Sequence, residues 1–331
     1  GGKVEIGEQD LVGRQLHPLV RLGLLNLHYH LRLGEDVGGA GRDFRTGCAI
    51  GVVTGANAGI GFEVARILAA RGAAVVLACR DAARAEAAMA RIADDVPGAD
   101  LSFVRLDLAD LDQVGEAAAA VRAGPRIDVL VNNAGVMIPP RSLTAQGFEL
   151  QFGVNHLGTF AFTGLIHGHV DDRIVVTASL AHKSGTIDFS DLDARRGYHG
   201  WSRYQASKLA NLSYMFELDR RLGAAGRATQ AIGAHPGVAL TELTRHLPWP
   251  LRSMTPLATP FFNSAAQGAW PTLQAATGAH VQGGDYLGPQ GLGEISGASG
   301  PARATKAARD PKLGRELWER SVDLTGVDPG I

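Results

Sequence analysis

The sequence predicts an α/β fold of the doubly wound kind, a parallel sheet with helices on both faces, built as a single domain. Three observations predict it. From Cys48 onward, short runs that are apolar throughout recur along the chain, and strands of that composition are covered on both faces. Helical patterns rich in alanine and arginine separate them. A glycine-rich turn stands where the first run passes into the first helical pattern, and in such sheets ligands bind at the carboxyl ends of the strands.

The elements come in a regular order. Residues 49–53 read as the first strand and 61–71 as the helix after it. Residues 74–78 are a second strand and 81–94 a second helix, then 101–106 a strand, 111–123 a helix and 129–132 a strand. Residues 174–177 and 229–234 supply two more strands, and 284–287 an edge strand. No internal repeat or low-complexity linker interrupts them.

At 331 residues, 45% hydrophobic and 20% charged, the chain can bury one full core. A formal net charge of −1 gives no reason to expect nucleic acid or an anionic membrane as partner. Two cysteines make no disulfide framework. Cys48 opens the first strand and Cys79 closes the second, so parallel pairing keeps them about 15–20 Å apart, and free thiols suit the cytoplasm.

Residues 1–46 differ in character from the rest of the chain. The stretch 11–33 is leucine-rich, but Arg14, Arg21, Arg32, three histidines and Pro18 interrupt it. No run of about 18 apolar residues exists, so no transmembrane span is expected, and no secretory signal is ordered there. The segment reads either as an amphipathic arm lying on a membrane or partner subunit or, the favoured reading, as a weakly packed extension. His28-Tyr29-His30 has no carboxylate or cysteine at ligand spacing, and no metal is expected.

Tyr204 and Lys208 stand four apart, on one face of a helix. An ammonium beside a phenol favours its ionised form, which makes the tyrosine a proton donor or acceptor nearer neutral pH. About 150 residues upstream, Thr54-Gly55-Ala56-Asn57-Ala58-Gly59-Ile60-Gly61 turns a strand into a helix. Glycines there let a pyrophosphate approach the backbone at the positive end of the helix. Where a cofactor ribose should arrive, the chain offers Arg80 rather than an acid, and an arginine fork suits a 2′-phosphate. NADP(H) is therefore favoured over NAD(H), unless Arg80 merely begins a helix beside Asp81. Asn132-Asn133-Ala134-Gly135 closes the fourth strand on small or amide residues. Asp107 ends the third, where it could meet the adenine amino group, cap the next helix, or do both.

These motifs, with Asn155, Ser179 and His235-Pro236-Gly237, resemble the short-chain dehydrogenase/reductase family in order, over about residues 47–327. Ala78-Cys79-Arg80-Asp81, Asn155-His156-Leu157-Gly158 and Ser207-Lys208-Leu209-Ala210-Asn211 look like its retinol dehydrogenase and WW-domain oxidoreductase branch, in a bacterial-type member. The resemblance implies a Rossmann-type domain over 47–331. It makes Tyr204 the general acid/base and has Lys208 hold the nicotinamide ribose. Ser179 would bond the reacting oxygen, and Asn155 would hold a water of a proton relay. It sets the cofactor against Gly55, Asn57, Ala58, Gly59, Ile60, Gly61, Arg80, Asp107, Leu108, Asn133, Ala134 and Gly135. Tyr204, Lys208, Pro236, Gly237 and Val238 complete that wall.

The chain departs from the family at Ala178, where Ser-Ser is usual, and in residues 158–172, about one helical turn short. That helix commonly contributes to the family's dimer interface, so a homo-oligomer stays open. Residues 238–262, with Leu240, Leu243, Trp249 and Phe261, are expected as a substrate cover whose apolar groups either suit a lipophilic alcohol or carbonyl compound or only fasten the cover to the body. An idle cofactor-binding scaffold and a reductase of the protochlorophyllide type are the alternative functions.

Overall fold

A computed structural model describes residues 49–238 and 263–331. The expectations for residues 1–46, for Cys48 and for the cover beyond Val238 lie outside those residues.

The first half alternates strictly: β1 (Ile50–Thr54), α1 (Gly59–Ala70), β2 (Ala74–Cys79), α2 (Ala82–Asp95), β3 (Leu101–Arg105), α3 (Leu111–Ala123) and β4 (Ile127–Asn132). A short α4 (Leu150–Phe152) passes through a π-helical turn, Gly153–Gly158, into α5 (Thr159–Ile166). Then come β5 (Val170–Thr177), the 25-residue α6 (Gly200–Ala224), β6 (Gln230–Ala234), α7 (Ala265–Thr277), β7 (Tyr286–Pro289), β8 (Ser299–Pro301) and α8 (Pro311–Thr325).

The strands lie in the order β3-β2-β1-β4-β5-β6-β7-β8, all parallel except β8. The order reverses between β1 and β4, so the helices leaving them diverge and a crevice opens at their carboxyl ends. α1, α2 and α7 cover one face through Val64, Leu68, Ile92 and Leu273. α3, α5, α6 and α8 cover the other through Val121, Phe160, Leu212 and Trp318.

Local chemistry sets the helix ends. Asp81 caps α2 by accepting from Arg84 N at 3.1 Å, and Ser264 with Gln267 forms a capping box on α7. α8 starts on Asp310-Pro311 and stops at Gly326, whose φ of 67° is the left-handed terminator. α8 packs on α6, with Trp318 stacked on Tyr214 at 5.9 Å and Arg221 over its ring at 4.4 Å. Its Ser321 Oγ lies 2.8 Å from His156 Nε2 in the π turn.

Two expectations change. β7 is not the edge strand, because β8 pairs antiparallel outside it. β5 begins four residues earlier than its apolar run, since Asp171 faces solvent to pair with Arg126. In the same stretch Arg173 turns inward to donate to Ala275 O at 2.9 Å and Gly278 O at 2.8 Å. The helix after Asn155 ends at Ile166, and the turn His167–His169 leads into β5.

Candidate active site

The glycine-rich turn is shaped by what glycine alone permits. Gly55 and Gly59 have φ of 66° and 57°, the left-handed region that disfavours side chains. A Cβ on Gly61 would fall 2.4 Å from both Asn133 Nδ2 and Gly55 O, so only glycine lets α1 come this close. Ala58 precedes α1 without a side-chain cap, leaving the first N–H groups and the positive helix end directed at the crevice. Thr54 Oγ1 accepts from Asn133 N at 3.0 Å and Ala134 N at 2.9 Å. Asn133 therefore joins β4 to β1, a role distinct from the cofactor contact that the resemblance implies for it.

A cavity of about 530 Å³ runs along these strand ends. On the β2 side its wall is Arg80, with Cys79, Asp81 and Arg84; next come Gly55, Asn57, Ala58, Gly59, Ile60 and Gly61 with Asp107 and Leu108. On the β5 and β6 side the wall is Asn133, Ala134, Gly135, Tyr204, Lys208 and Pro236. Of the expected site residues, Asn155, Ser179, Gly237 and Val238 lie off this wall. The cap of α2 is Asp81 rather than Arg80, which is exposed. The cap of α3 is Asp110, so the capping alternative for Asp107 fails; Asp107 Oδ1 accepts from Ala109 N at 2.9 Å instead. Burial pushes the Cys79 thiol up to about 11, which keeps it protonated and unreactive.

Tyr204 and Lys208 project from α6, and the Tyr204 hydroxyl shares a hydrogen bond with the Ser179 side chain. Ser179 Oγ also accepts from Ala181 N at 3.2 Å, capping the turn Leu180–Ser184, so it satisfies a backbone group and faces the phenol together. Lys208 Nζ donates to Thr177 O at 3.1 Å and lies 5.9 Å from the Tyr204 ring centre. Burial lowers Lys208 to about 8. The sequence expectation of a lowered phenol is not met. Burial raises Tyr204, the Ser179 bond offsets part of that, and the ammonium is engaged by Thr177.

Asn155 sits in the π turn, a rare element that recurs at functional sites. Its Oδ1 accepts from Val136 N at 2.7 Å; its Nδ2 donates to Val136 O at 2.9 Å and Ser207 Oγ at 3.0 Å. Both donors of its amide are thus engaged within the fold, and Oδ1 keeps a second lone pair. Gly135 keeps the approach to Oδ1 open: a Cβ there would stand 3.0 Å from Asn155 Oδ1 and 3.6 Å from Lys208 Nζ.

The sequence pattern of the short chain dehydrogenase family matches residues 49–249. The chain belongs to that family. Mouse retinol dehydrogenase 12 is 38% identical over 283 residues, covering 83% of this chain and 86% of the relative. Mouse polyprenol dehydrogenase is 37% identical over 293 residues, covering 85% of each. Among solved structures, an uncharacterized protein from Mycobacterium Paratuberculosis is 38% identical with a TM-score of 0.72, covering 86% of this chain and 95% of that one. A short chain dehydrogenase from Burkholderia cenocepacia, solved in complex with NADP, is 25% identical with a TM-score of 0.58 and covers 73% and 96%. This short-chain dehydrogenase is thus an oxidoreductase by family, with retinol and polyprenol dehydrogenases among its relatives.

Some features of this short-chain dehydrogenase are visible only in the folded chain. Arg84, one turn into α2, joins Arg80 on the cavity wall. Val136, Met137, Pro139, Leu150 and Val154 form an apolar wall near Tyr204; the apolar run directly after Gly135 was its signal. Trp201, three residues before Tyr204, is 46% exposed with its ring 5.9 Å from the tyrosine ring. Among the described residues, no helix is long and apolar enough to cross a membrane.

Proposed function

We propose that this short-chain dehydrogenase interconverts an alcohol and a carbonyl on a lipophilic substrate with NADP(H), Tyr204 acting as general acid/base. The observation that carries it is one cavity wall on which the glycine-rich turn and the Tyr204–Lys208 pair meet. The residues present fit such a cofactor. Left-handed Gly55 and Gly59, the space kept at Gly61 and the uncapped end of α1 suit a pyrophosphate. Arg80 and Arg84 suit a 2′-phosphate. Leu108, Asn133, Ala134 and Gly135 would flank the adenosine and ribose, and Pro236, Gly237 and Val238 would border the nicotinamide. When bound, the cofactor supplies or accepts the hydride.

The chain's own groups manage the oxygen. Ser179 would orient it by a hydrogen bond, and Tyr204 would donate a proton to it in reduction or remove one in oxidation. Lys208, cationic below about 8, would hold the ribose and favour the phenolate once the proton has left. Asn155 fixes the Val136 loop and would steady a relay water beside Gly135. The lipophilic substrate is supported by the apolar wall, by Trp201, and by relatives named for retinol and polyprenol. Residues 1–46 are an extension dispensable for the chemistry, since every motif assigned to the site lies after Cys48. A buried free thiol at Cys79 suits a cytoplasmic setting.

The test is NADPH oxidation with long-chain and cyclic aldehydes and ketones, including retinaldehyde, beside short-chain controls. Turnover that favours the lipophilic members is expected. Tight NADPH binding with no turnover on any member would instead identify an idle scaffold.

A further inference from the structure

Beside Ser179 lies a buried polar cluster that the proposed chemistry does not use: His182, His235, Tyr286 and Glu294, with Lys183 at its edge. Glu294 is its centre, and its backbone is unusual. Its φ of 60° lies in the left-handed region, next to Gly293 at 65°. A long side chain stays in that region only where its surroundings hold it there.

Those surroundings are specific. Glu294 Oε2 accepts from Lys183 Nζ at 2.8 Å, and Oε1 accepts from Arg303 N at 3.0 Å. His235 Nε2 is 3.5 Å from Oε2. His235 Nδ1 accepts from Gly237 N at 3.2 Å, so the neutral ring carries its proton on Nε2, facing the carboxylate. Gly288 makes room for that ring, because a Cβ there would sit 2.0 Å from Nε2.

Two parts of the site meet at this carboxylate. Lys183 belongs to the turn Leu180–Ser184, and its neighbour His182 brings Nδ1 to 2.6 Å from Ser179 O. On the other side, the turn 236–238 lies flat on the residue after Glu294. Val238 N donates to Ile295 O at 2.9 Å, and a Cβ on Gly237 would fall 2.2 Å from the same oxygen. With its side chain only 14% exposed, Glu294 is less screened by salt than a surface ion would be.

We propose that Glu294 is a positioning residue that fixes Ser179 relative to the turn 236–238, and so the reacting oxygen relative to the cofactor. This rests on the function proposed above, in which Ser179 bonds that oxygen and the turn borders the nicotinamide. A latch that served only the 291–303 segment would need neither Lys183 nor His235. The backbone strain is the cost of aiming one carboxylate at both.

The test uses Glu294→Asn and Lys183→Met. Asparagine accepts the left-handed backbone, but its side chain is one methylene shorter and cannot span both partners. The melting temperature should stay at or above wild type. NADPH should bind several-fold more weakly, and kcat should fall between about tenfold and about 100-fold, the scale of a misplacement near 1 Å. Lys183→Met should weaken NADPH binding and lower kcat similarly, and the double variant should lose no more than the stronger single one. Wild-type NADPH affinity and kcat in Glu294→Asn would overturn the proposal. So would additive losses, or losses that simply track a drop in melting temperature. If the wild type binds NADPH but reduces no carbonyl, the proposed function fails, and the NADPH affinities of the two variants still decide the role of Glu294.

Discussion

Thr54 and Asn133 tie the ends of β1 and β4 together beneath the crevice by two bonds, both donated by Asn133. Thr54 Oγ1 accepts from Asn133 N at 3.0 Å, and Asn133 Nδ2 donates to Thr54 O at 3.0 Å. Thr54 is 1% exposed, so neither bond can be replaced by solvent without moving a strand.

Thr54→Val keeps the shape of this side chain and removes its acceptor. The N–H of Ala134 loses its partner, whereas that of Asn133 keeps Val131 O at 3.1 Å, at roughly 1–3 kcal/mol for the one donor left unpaired. Urea unfolding should show that loss, and Thr54→Ser should recover most of it. A Thr54→Val protein as stable as wild type would mean that water or another group reaches the Ala134 N–H.

Tyr204→Phe should bind NADPH as tightly as wild type and lose about 10²–10⁴-fold in turnover, the usual share of general acid–base catalysis. Stopped-flow binding and steady-state rates on the best carbonyl substrate separate the two. Near wild-type turnover would remove Tyr204 from the chemistry.

Arg80→Ala should weaken NADPH by at least about tenfold, through the loss of charge-assisted bonds worth roughly 1.5–3 kcal/mol. NADH affinity should change little. Arg84→Ala should act in the same direction, because both arginines stand on one wall. Equal losses for both cofactors would assign the arginines to the fold.

Lys208 carries a pH signature of known sign. Burial lowers it from 10.5 to about 8, so between those values the unfolded chain holds a proton that the folded chain has released. Stability from this group therefore rises with pH across that window, and its penalty is complete below it. Lys208→Met should be more stable than wild type at pH 7.5, with the difference shrinking at pH 10. Thr177 O keeps a donor in the variant, Asn211 Nδ2 at 3.2 Å. A stability difference that does not change with pH would refute the lowered value.

The first half of the fold is legible in the sequence because each strand there is apolar on both faces and each helix keeps its period. The same apolar signal places the start of β5 too late, because Asp171, Asp172 and Arg173 hide it; their charges look outward or cap α7. β8 has three residues, two of them Gly300 and Pro301, and carries no strand signal. Spacing brought Tyr204, Lys208 and the glycine turn to one wall, since each belongs to a local motif. The environments of those groups were not legible. The raised phenol of Tyr204 and the bonds of Asn155 to Val136 and Ser207 depend on neighbours distant in sequence.

Asn155 and His156 are adjacent, yet the first holds the Val136 loop while the second meets Ser321, 165 residues later. The ribosome delivers β1 to β4 long before α8, so the crevice for the cofactor can form early. The π turn that presents Asn155 gains its last support only when α8 docks, a contact of very long range and slow to form. Our hypothesis is that refolding recovers cofactor binding before turnover, as two separable phases tracked by NADPH fluorescence and by activity. Simultaneous recovery would show that the turn is set without α8. On this view, competence to bind and competence to react are acquired at different times in the life of one chain.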